Sequence, residues 1–218
     1  MRTITVKGIG KVSAGVDLVE LSFHIQEKQK DYSAALKGAA EKVDALGKAL
    51  AEAGFAPEDF QTTGFRVTTE YENVRDARGD YQTVFAGYLC SYDQKLSFDF
   101  HPARLGEALE AMDRSGAGPE LQVSFTVKHP EKLEAELLKA AAANARSRAE
   151  ILCAASGVRL GELQSVSYDF HSLPFRSQTT MDAAGAAPML MAKRSMAESL
   201  RPQDMDLEDS AVFVWEIL

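Results

Sequence analysis

Strict alternation of apolar and polar residues recurs along this chain and constrains its fold more than any other feature. It is clearest over residues 19–25, where the apolar residues are Val19, Leu21, Phe23 and Ile25. The same period is found over residues 88–100 and 121–127. Side chains of a strand point alternately to its two faces, so each segment predicts a strand with one buried face. Residues 63–71 and 4–6 predict two further strands, the second of them short.

Three segments between these strands change to a helical period. Apolar residues recur at intervals of three and four over residues 32–53, with Leu46 on the stripe, which predicts an amphipathic helix. Asp31 is suited to cap its first turn and Gly54 to end it. A shorter helix is predicted over 102–116, and an alanine-rich one over 130–156.

The order of these elements predicts an α+β fold. Residues 16–128 read as strand, helix, strand, strand, helix, strand, which is the ferredoxin-like βαββαβ order. The long third helix and two more strands, at 163–170 and 211–218, complete the chain. The unbroken apolar run at 212–215 is compatible with burial on both faces. We expect a single domain over 1–218, with the helices packed on one face of a mainly antiparallel sheet.

A long Met-rich loop is predicted over residues 171–209, which hold five of the seven methionines and show no sustained period. Loops of this length inside a compact domain are usually either functional or disordered. We expect this one to become ordered against another subunit, because thioethers adapt to imperfectly matched surfaces. The predicted contact residues are Met189, Leu190, Met191 and Met196. A Cu(I) site is the alternative interpretation of these methionines.

Charge and composition exclude several classes of partner. The chain has 24 basic and 32 acidic residues, a formal charge of −8, and no concentrated basic patch. Such a chain repels nucleic acid and anionic membranes. No apolar run approaches the ~20 residues of a membrane-spanning helix. As written, the N-terminus lacks the apolar stretch of a signal peptide, which predicts a cytoplasmic protein, or a periplasmic or extracytoplasmic one if a leader has been removed.

The two cysteines, Cys90 and Cys153, are far apart in sequence and lie inside apolar patterns. This is typical of buried, unpaired thiols in a reducing compartment. Burial should raise the pKa of Cys90 and make it a poor nucleophile.

No familiar catalytic motif is present in the sequence. Gly8-Ile9-Gly10 lacks the rest of a dinucleotide fingerprint, and we interpret it as a kink at a strand end. The four histidines, His24, His101, His129 and His171, fall at strand-face, helix-start and loop-start positions that favour surface or capping roles. The sequence therefore predicts no catalytic or cofactor-binding residue and no cofactor.

An acidic cluster near the C-terminus has the residue types of a calcium site, namely Asp204, Asp206, Glu208 and Asp209. It lacks the glycine that an EF-hand loop needs, so we interpret it as part of a solvated loop. The sequence thus predicts no metal ligand.

Several segments in a fixed order resemble the SIMPL-domain family over nearly the whole chain. They are residues 4–12 (ITVKGIGKV), 62–67 (TTGFRV), 87–88 (GY), 123–125 (VSF) and 160–161 (LG). The chain departs from the family pattern at Val16, where proline is common, and at Pro202-Gln203-Asp204, where Pro-Gly is usual. The family includes bacterial periplasmic immunogenic proteins, oxidative-stress-defence proteins and an animal signalling adaptor. The resemblance carries over no catalytic residues.

Taken together, these features predict a non-catalytic protein that self-assembles or binds a protein partner. A homo-oligomer is the expected state, and a stress-related role is what the resemblance implies. The alternative is a ligand-binding protein or enzyme whose site is assembled from residues distant in sequence. A deep pocket lined by convergent polar groups would favour that alternative.

Overall fold

The computed structural model describes residues 2–75, 80–169, 173–183 and 199–218. In chain order the elements are β1 (Thr3–Ala14), β2 (Leu18–Gln29), α1 (Tyr32–Glu52), a 3-10 turn (Pro57–Asp59), β3 (Phe60–Arg75), β4 (Tyr81–Asp99), α2 (Pro102–Ser115), β5 (Glu120–Thr126), α3 (Pro130–Ala155), β6 (Leu160–Ser167), β7 (Arg176–Ala183) and β8 (Met205–Ile217). The predicted α+β class is confirmed. None of the helices in the described ranges is long and apolar enough to cross a membrane.

Two compact units interleave along the chain. The central unit comprises Asp17–Phe125 and Thr179–Pro202, and the terminal unit comprises Met1–Val16, Thr126–Gln178 and Gln203–Leu218. The first and last strands therefore belong to the same unit.

The central unit is built on a five-stranded sheet in the order β3-β4-β2-β5-β7. β4 pairs antiparallel with both β2 and β3. Because β2 lies between β4 and β5, which α2 connects, this part of the chain is a split βαβ arrangement. The predicted alternation is confirmed in β2, where Val19, Leu21, Phe23 and Ile25 are buried.

Helix α1 begins and ends where the sequence predicts. The Asp31 carboxylate accepts a hydrogen bond of 2.9 Å from the backbone N–H of Ala34. Gly54 follows the helix with a φ of 81°, a conformation that favours glycine. The buried stripe, which packs in part against Cys90 of β4, consists of Ala35, Ala39, Leu46, Ala49 and Leu50.

The terminal unit is a three-stranded antiparallel sheet in the order β1-β8-β6, against which α3 packs. Buried residues recur at every fourth position of α3, namely Leu137, Ala141, Ala145, Ala149 and Cys153. Four of these five side chains are small, so the helix can approach the sheet closely. Phe213 and Trp215 of β8 stack with ring centroids 5.5 Å apart and pack in the same core cluster as Ala145 and Ala149.

Gly8 and Gly10 are the β1 residues that admit this close approach. A Cβ built at Gly8 would overlap the carbonyl oxygen of Ala141 and lie 2.7 Å from Ala145 Cβ, and one at Gly10 would overlap the carbonyl oxygen of Leu137. The prediction of a strand-end kink at these glycines was wrong, since both lie within β1. They are glycines because helix backbone occupies the space of a side chain.

Three predictions about the C-terminal half and the first strand need correction. β1 spans twelve residues rather than 4–6, because β8 pairs along its whole length. The segment 171–209 is not all loop, since β7 and the start of β8, residues 205–209, lie within it. β8 is the middle strand of its sheet, but burial alternates along it, so Val212 and Val214 are only half-buried on the face away from α3.

The C-terminal end of α3 also differs from prediction. As the large apolar residues near this end of an alanine-rich helix, Ile151 and Leu152 are predicted from the sequence to anchor it in the core, but both are exposed. The stripe of every fourth residue passes through Ala149 and Cys153 instead, which turns the two larger side chains outward.

Candidate interaction surface

A group of exposed and half-buried aromatic side chains lies at the surface of the central unit, and we call it the aromatic band. Its members are Tyr32, Phe65, Tyr71, Phe85, Tyr88 and Tyr92. They come from the start of α1 and from the long hairpin that β3 and β4 form. Phe65 is 53% exposed, Tyr71 59% and Phe85 46%.

The rings of the band contact one another in two groups. In the first, Tyr88 lies 5.5 Å from Tyr32 and 5.2 Å from Phe85, whose ring lies 6.1 Å from Tyr71. In the second, the ring centroids of Phe65 and Tyr92 are 4.7 Å apart. These edge-to-face and tilted contacts are the arrangements that aromatic pairs favour.

A bulge in β4 brings Phe85 and Tyr88 to the same face. The register passes from Glu70 opposite Gly87 to Tyr71 opposite Phe85, so β4 carries one extra residue. Residues three apart point to opposite faces of a regular strand, and the extra residue removes that difference. Gly87 permits the bulge, because its φ is 143° and a Cβ there would lie 2.6 Å from the carbonyl oxygen of Gln29.

The band is exposed because α1, the helix on this face of the sheet, packs mainly on β2 and β4 rather than on β3. Ile25, Tyr92 and Phe65 are in register across β2, β4 and β3. Ile25 is buried, Tyr92 is half-buried and Phe65 is exposed. β3 is the outermost strand of the sheet, and α1 packs on β2 and β4. Contiguous exposed apolar side chains of this kind mark interaction sites.

The other face of the same sheet is polar. His24 Nδ1 lies 2.6 Å from a carboxylate oxygen of Asp93, and Gln26 Nε2 lies 2.7 Å from His24 Nε2. Lys95 and Glu20 form a cross-strand ion pair of 2.5 Å. His24 thus has the surface position that the sequence predicts, with both ring nitrogens engaged.

Two of the remaining histidines stand at helix starts. His101 and His129 occupy the N-cap positions of α2 and α3, as predicted, but neither side chain caps its helix. His129 instead lies 3.0 Å from Glu131. The pKa of the Glu131 carboxyl is lowered chiefly by a hydrogen bond from its own backbone N–H, and to a smaller extent by His129. His171 lies outside the described residues.

Charged groups line two cavities of the central unit, but they are engaged in structural contacts. A cavity of about 490 Å³ is bordered by Glu27 and Lys42, which form an ion pair of 2.6 Å. Another, of about 620 Å³, is bordered by Arg104, whose guanidinium bonds to the end of α1 and to Glu107. These groups hold helices and strands in place, an arrangement different from free polar groups converging on a ligand.

The predicted acidic cluster lies on β8, apart from Asp204, and its side chains diverge. Glu208 pairs with Lys11 of β1 at 2.8 Å. Asp209 is buried and accepts a hydrogen bond of 2.9 Å from the Tyr168 hydroxyl, which raises the pKa of Tyr168. The prediction of a loop was wrong for Asp206, Glu208 and Asp209, which lie in β8, and the prediction of solvation was wrong for Asp209, which is buried. No group of three or more potential metal ligands occurs within the described ranges.

Cys90 is buried and unpaired, as predicted, and so is Cys153. Desolvation raises the pKa of the Cys90 thiol. The predicted contact residues Met189, Leu190, Met191 and Met196 lie outside the described residues, so their role stays a prediction. The aromatic band itself was not predicted, because it depends on the β4 bulge and on where α1 ends its cover.

Comparison with known proteins identifies the family. Residues 4–215 match the model of SIMPL, a protein of unknown function (DUF541). The chain belongs to the SIMPL family. It is 23% identical over 214 residues to the uncharacterized protein YggE of Edwardsiella ictaluri, a match that covers 98% of this chain and 86% of that protein. It is 25% identical over 164 residues to the 26 kDa periplasmic immunogenic protein of Brucella melitensis, covering 75% of this chain and 65% of that protein. The 26 kDa periplasmic immunogenic protein of Brucella abortus matches to the same extent.

Proposed function

We propose that this SIMPL-family protein is non-catalytic and acts by binding protein surfaces, chiefly other copies of itself, through the aromatic band. The observation that carries the proposal is the exposure of Phe65 and Tyr71 on the outermost strand, β3, and of Phe85 on the adjacent strand, β4. Covering such rings releases about 25 cal/mol for each Å² of apolar surface removed from water. Aromatic side chains are also the type enriched at protein interfaces.

Charge supports a protein partner over a nucleic acid. Exposed rings can stack on bases, but nucleic-acid sites combine them with a basic groove that follows the backbone. The chain carries a formal charge of −8. Lys28 of β2 lies on the polar face of the sheet, opposite the band, and is paired there with Glu72 of β3 at 2.8 Å.

The test is the mass of the protein in solution. Light scattering after size exclusion should give a mass above the 23.7 kDa of one chain, and the mass should rise with concentration. The double variant Tyr71→Ser/Phe85→Ser should shift the distribution toward the monomer. The control is Val166→Ser, which removes an equally exposed apolar side chain from β6 of the terminal unit.

Two outcomes would count against this function. A wild-type protein that stays monomeric at every concentration would overturn self-assembly and favour the ligand-binding alternative. Equal effects of the band variant and of Val166→Ser would show that general surface hydrophobicity, rather than the band, drives association.

A further inference from the structure

We propose that β3 pairs with the β3 strand of a second copy, antiparallel, around a two-fold axis at Thr68. This inference rests on the proposed function and specifies its interface. The pairing would extend the five-stranded sheet of one copy into that of the other through main-chain hydrogen bonds.

The outer edge of β3 lacks two common protections against such pairing, proline and lysine, and its own bulge lies near its start. β3 is sixteen residues long and lies at the end of its sheet. Its own bulge is at Thr63, so from Gly64 to Arg75 it runs without an inserted residue. Neither proline nor lysine, the residues that commonly protect edge strands, occurs in it.

The two edge strands of the terminal unit, β1 and β6, have features that hinder pairing with another strand. The backbone N–H of Ile9 in β1 donates a hydrogen bond of 3.1 Å to the side chain of Asn144 in α3. β6, the opposite edge, has register shifts at Leu163 on both sides, which break its regularity. The edge of β3 from Gly64 onward is long and regular by comparison.

Symmetry limits the registers that are open to a self-paired strand. In an antiparallel pair around a two-fold axis centred on one residue, residues equally far before and after the centre lie opposite each other. Each residue then faces one of the same parity, so the aromatic face of one copy continues into that of the other.

The register centred on Thr68 matches side chains on both faces. On the polar face it places Arg66 opposite Glu70 of the second copy, and symmetry repeats this pair. Arg66 is exposed, and neither residue has an ion-pair partner within the described ranges. On the aromatic face it places Phe65 opposite Tyr71 of the second copy, again twice. Opposite charges and aromatic pairs are the cross-strand neighbours that stabilise sheets.

The other registers centred between Arg66 and Glu70 are less favourable. A centre at Val67 would set Arg66 against Thr68 and Phe65 against Thr69, which pairs neither opposite charges nor two rings. Centres at Arg66 or Glu70 would place like charges directly opposite each other. A centre at Thr69 would set Arg66 against Glu72, which already pairs with Lys28 at 2.8 Å, and Phe65 against Asn73.

A cysteine at the proposed axis tests the register directly. Thr68→Cys would place two thiols opposite each other, within the Cα separation that a disulfide requires. Val74→Cys is the matched control on the same strand, since two copies of residue 74 would lie about 40 Å apart in this register. Both native cysteines are buried. Mild oxidation of the full chain should yield a disulfide-linked dimer from Thr68→Cys and not from Val74→Cys.

Charge exchange provides a second, independent readout. Arg66→Glu and Glu70→Arg alone each create two like-charge pairs, and each should weaken the dimer by about tenfold or more. The double variant Arg66→Glu/Glu70→Arg restores opposite charges and should recover the wild-type dimer.

The outcomes separate this inference from the proposed function. An oligomer that persists in both single variants, with no cross-link at residue 68, would leave self-assembly standing and overturn the β3 pairing. Equal cross-linking at residues 68 and 74 would likewise overturn the register. A wild-type monomer at all concentrations would overturn both.

Discussion

The guanidinium of Arg104 lies 3.8 Å from the centre of the Phe55 ring. The same guanidinium donates hydrogen bonds to the carbonyl oxygens of Ala53, at 2.8 Å, and Gly54, at 2.5 Å. These carbonyls follow the last turn of α1, where a helix leaves acceptors without internal partners. A cation on α2 therefore closes the end of α1 and holds the two helices in register.

Replacing Arg104 by Lys should lower the free energy of unfolding by about 1–3 kcal/mol, because an ammonium cannot reproduce the planar fork. Urea denaturation would measure the loss. Arg114→Lys on the same helix is the control, since Arg114 is exposed near its C-terminal end, and it should leave stability within error. Equal losses in the two variants would show that the Arg104 contacts contribute little.

Gly8→Ala should be destabilising by about 1–3 kcal/mol or more, because the new methyl group overlaps the backbone of α3. Thermal or chemical unfolding would report it. Gly15→Ala is the matched control, since the nearest atom to a Cβ there is a carboxylate oxygen of Asp204 at 3.6 Å. A Gly8→Ala protein as stable as the Gly15→Ala protein would mean that α3 does not lie so close to β1.

Leu46→Ala should cost about 2–5 kcal/mol, because Leu46 is fully buried in the stripe of α1. Lys48 is exposed two residues further along the same helix, and Lys48→Ala should change stability by less than about 0.5 kcal/mol. A loss at Leu46 no larger than that at Lys48 would place the stripe in solvent.

The ion pair of Glu27 and Lys42 makes stability depend on pH. Hydrogen bonds from Lys42 and then Gln29 hold the pKa of Glu27 below 4.5. A carboxyl with a lowered folded pKa contributes stability above its unfolded pKa and loses it as pH falls through the folded value. Glu27→Gln should therefore destabilise the protein at neutral pH, and its difference from wild type should shrink below about pH 4.5.

Unfolding curves at several pH values would test this dependence. Glu41→Gln is the control, because Glu41 is exposed and its pair with Lys37 is longer, at 3.8 Å. A Glu27→Gln difference that stays constant down to pH 3 would refute the contribution of the ionised pair.

Cys90 should react slowly with a thiol reagent under native conditions, because it is buried and its pKa is raised. The Cys153→Ser variant isolates its reaction. The rate should increase sharply in denaturant, and a fast native rate would place Cys90 at the surface.

Sequence alone predicted the features that depend on local chemistry. The alternation in β2 and the Asp31 cap of α1 need only a strand's period of two and a side chain that reaches the first turn. The aromatic band was missed because it depends on the extra residue at Gly87 and on where α1 stops covering the sheet. β7 was missed because its sequence, RSQTTMDA, has no apolar alternation.

The glycines of β1 illustrate the same limit. Gly8 and Gly10 look like a kink in sequence, since a missing side chain gives no sign of the helix that fills its place. Only residues 137–145, more than a hundred positions later, explain them.

Pairing of β1 with β8 sets an order on folding during synthesis. Thr3 lies opposite Glu216 and Ala14 opposite Met205, so β1 cannot complete its pairing until β8 has been made. Contacts of such long sequence separation form slowly, since the intervening chain must first be closed into a loop. The central unit, largely contiguous over Asp17–Phe125, can fold while the ribosome is still extending the chain. Until β8 emerges, β1 is an unpaired strand that a chaperone or a neighbouring nascent chain can bind.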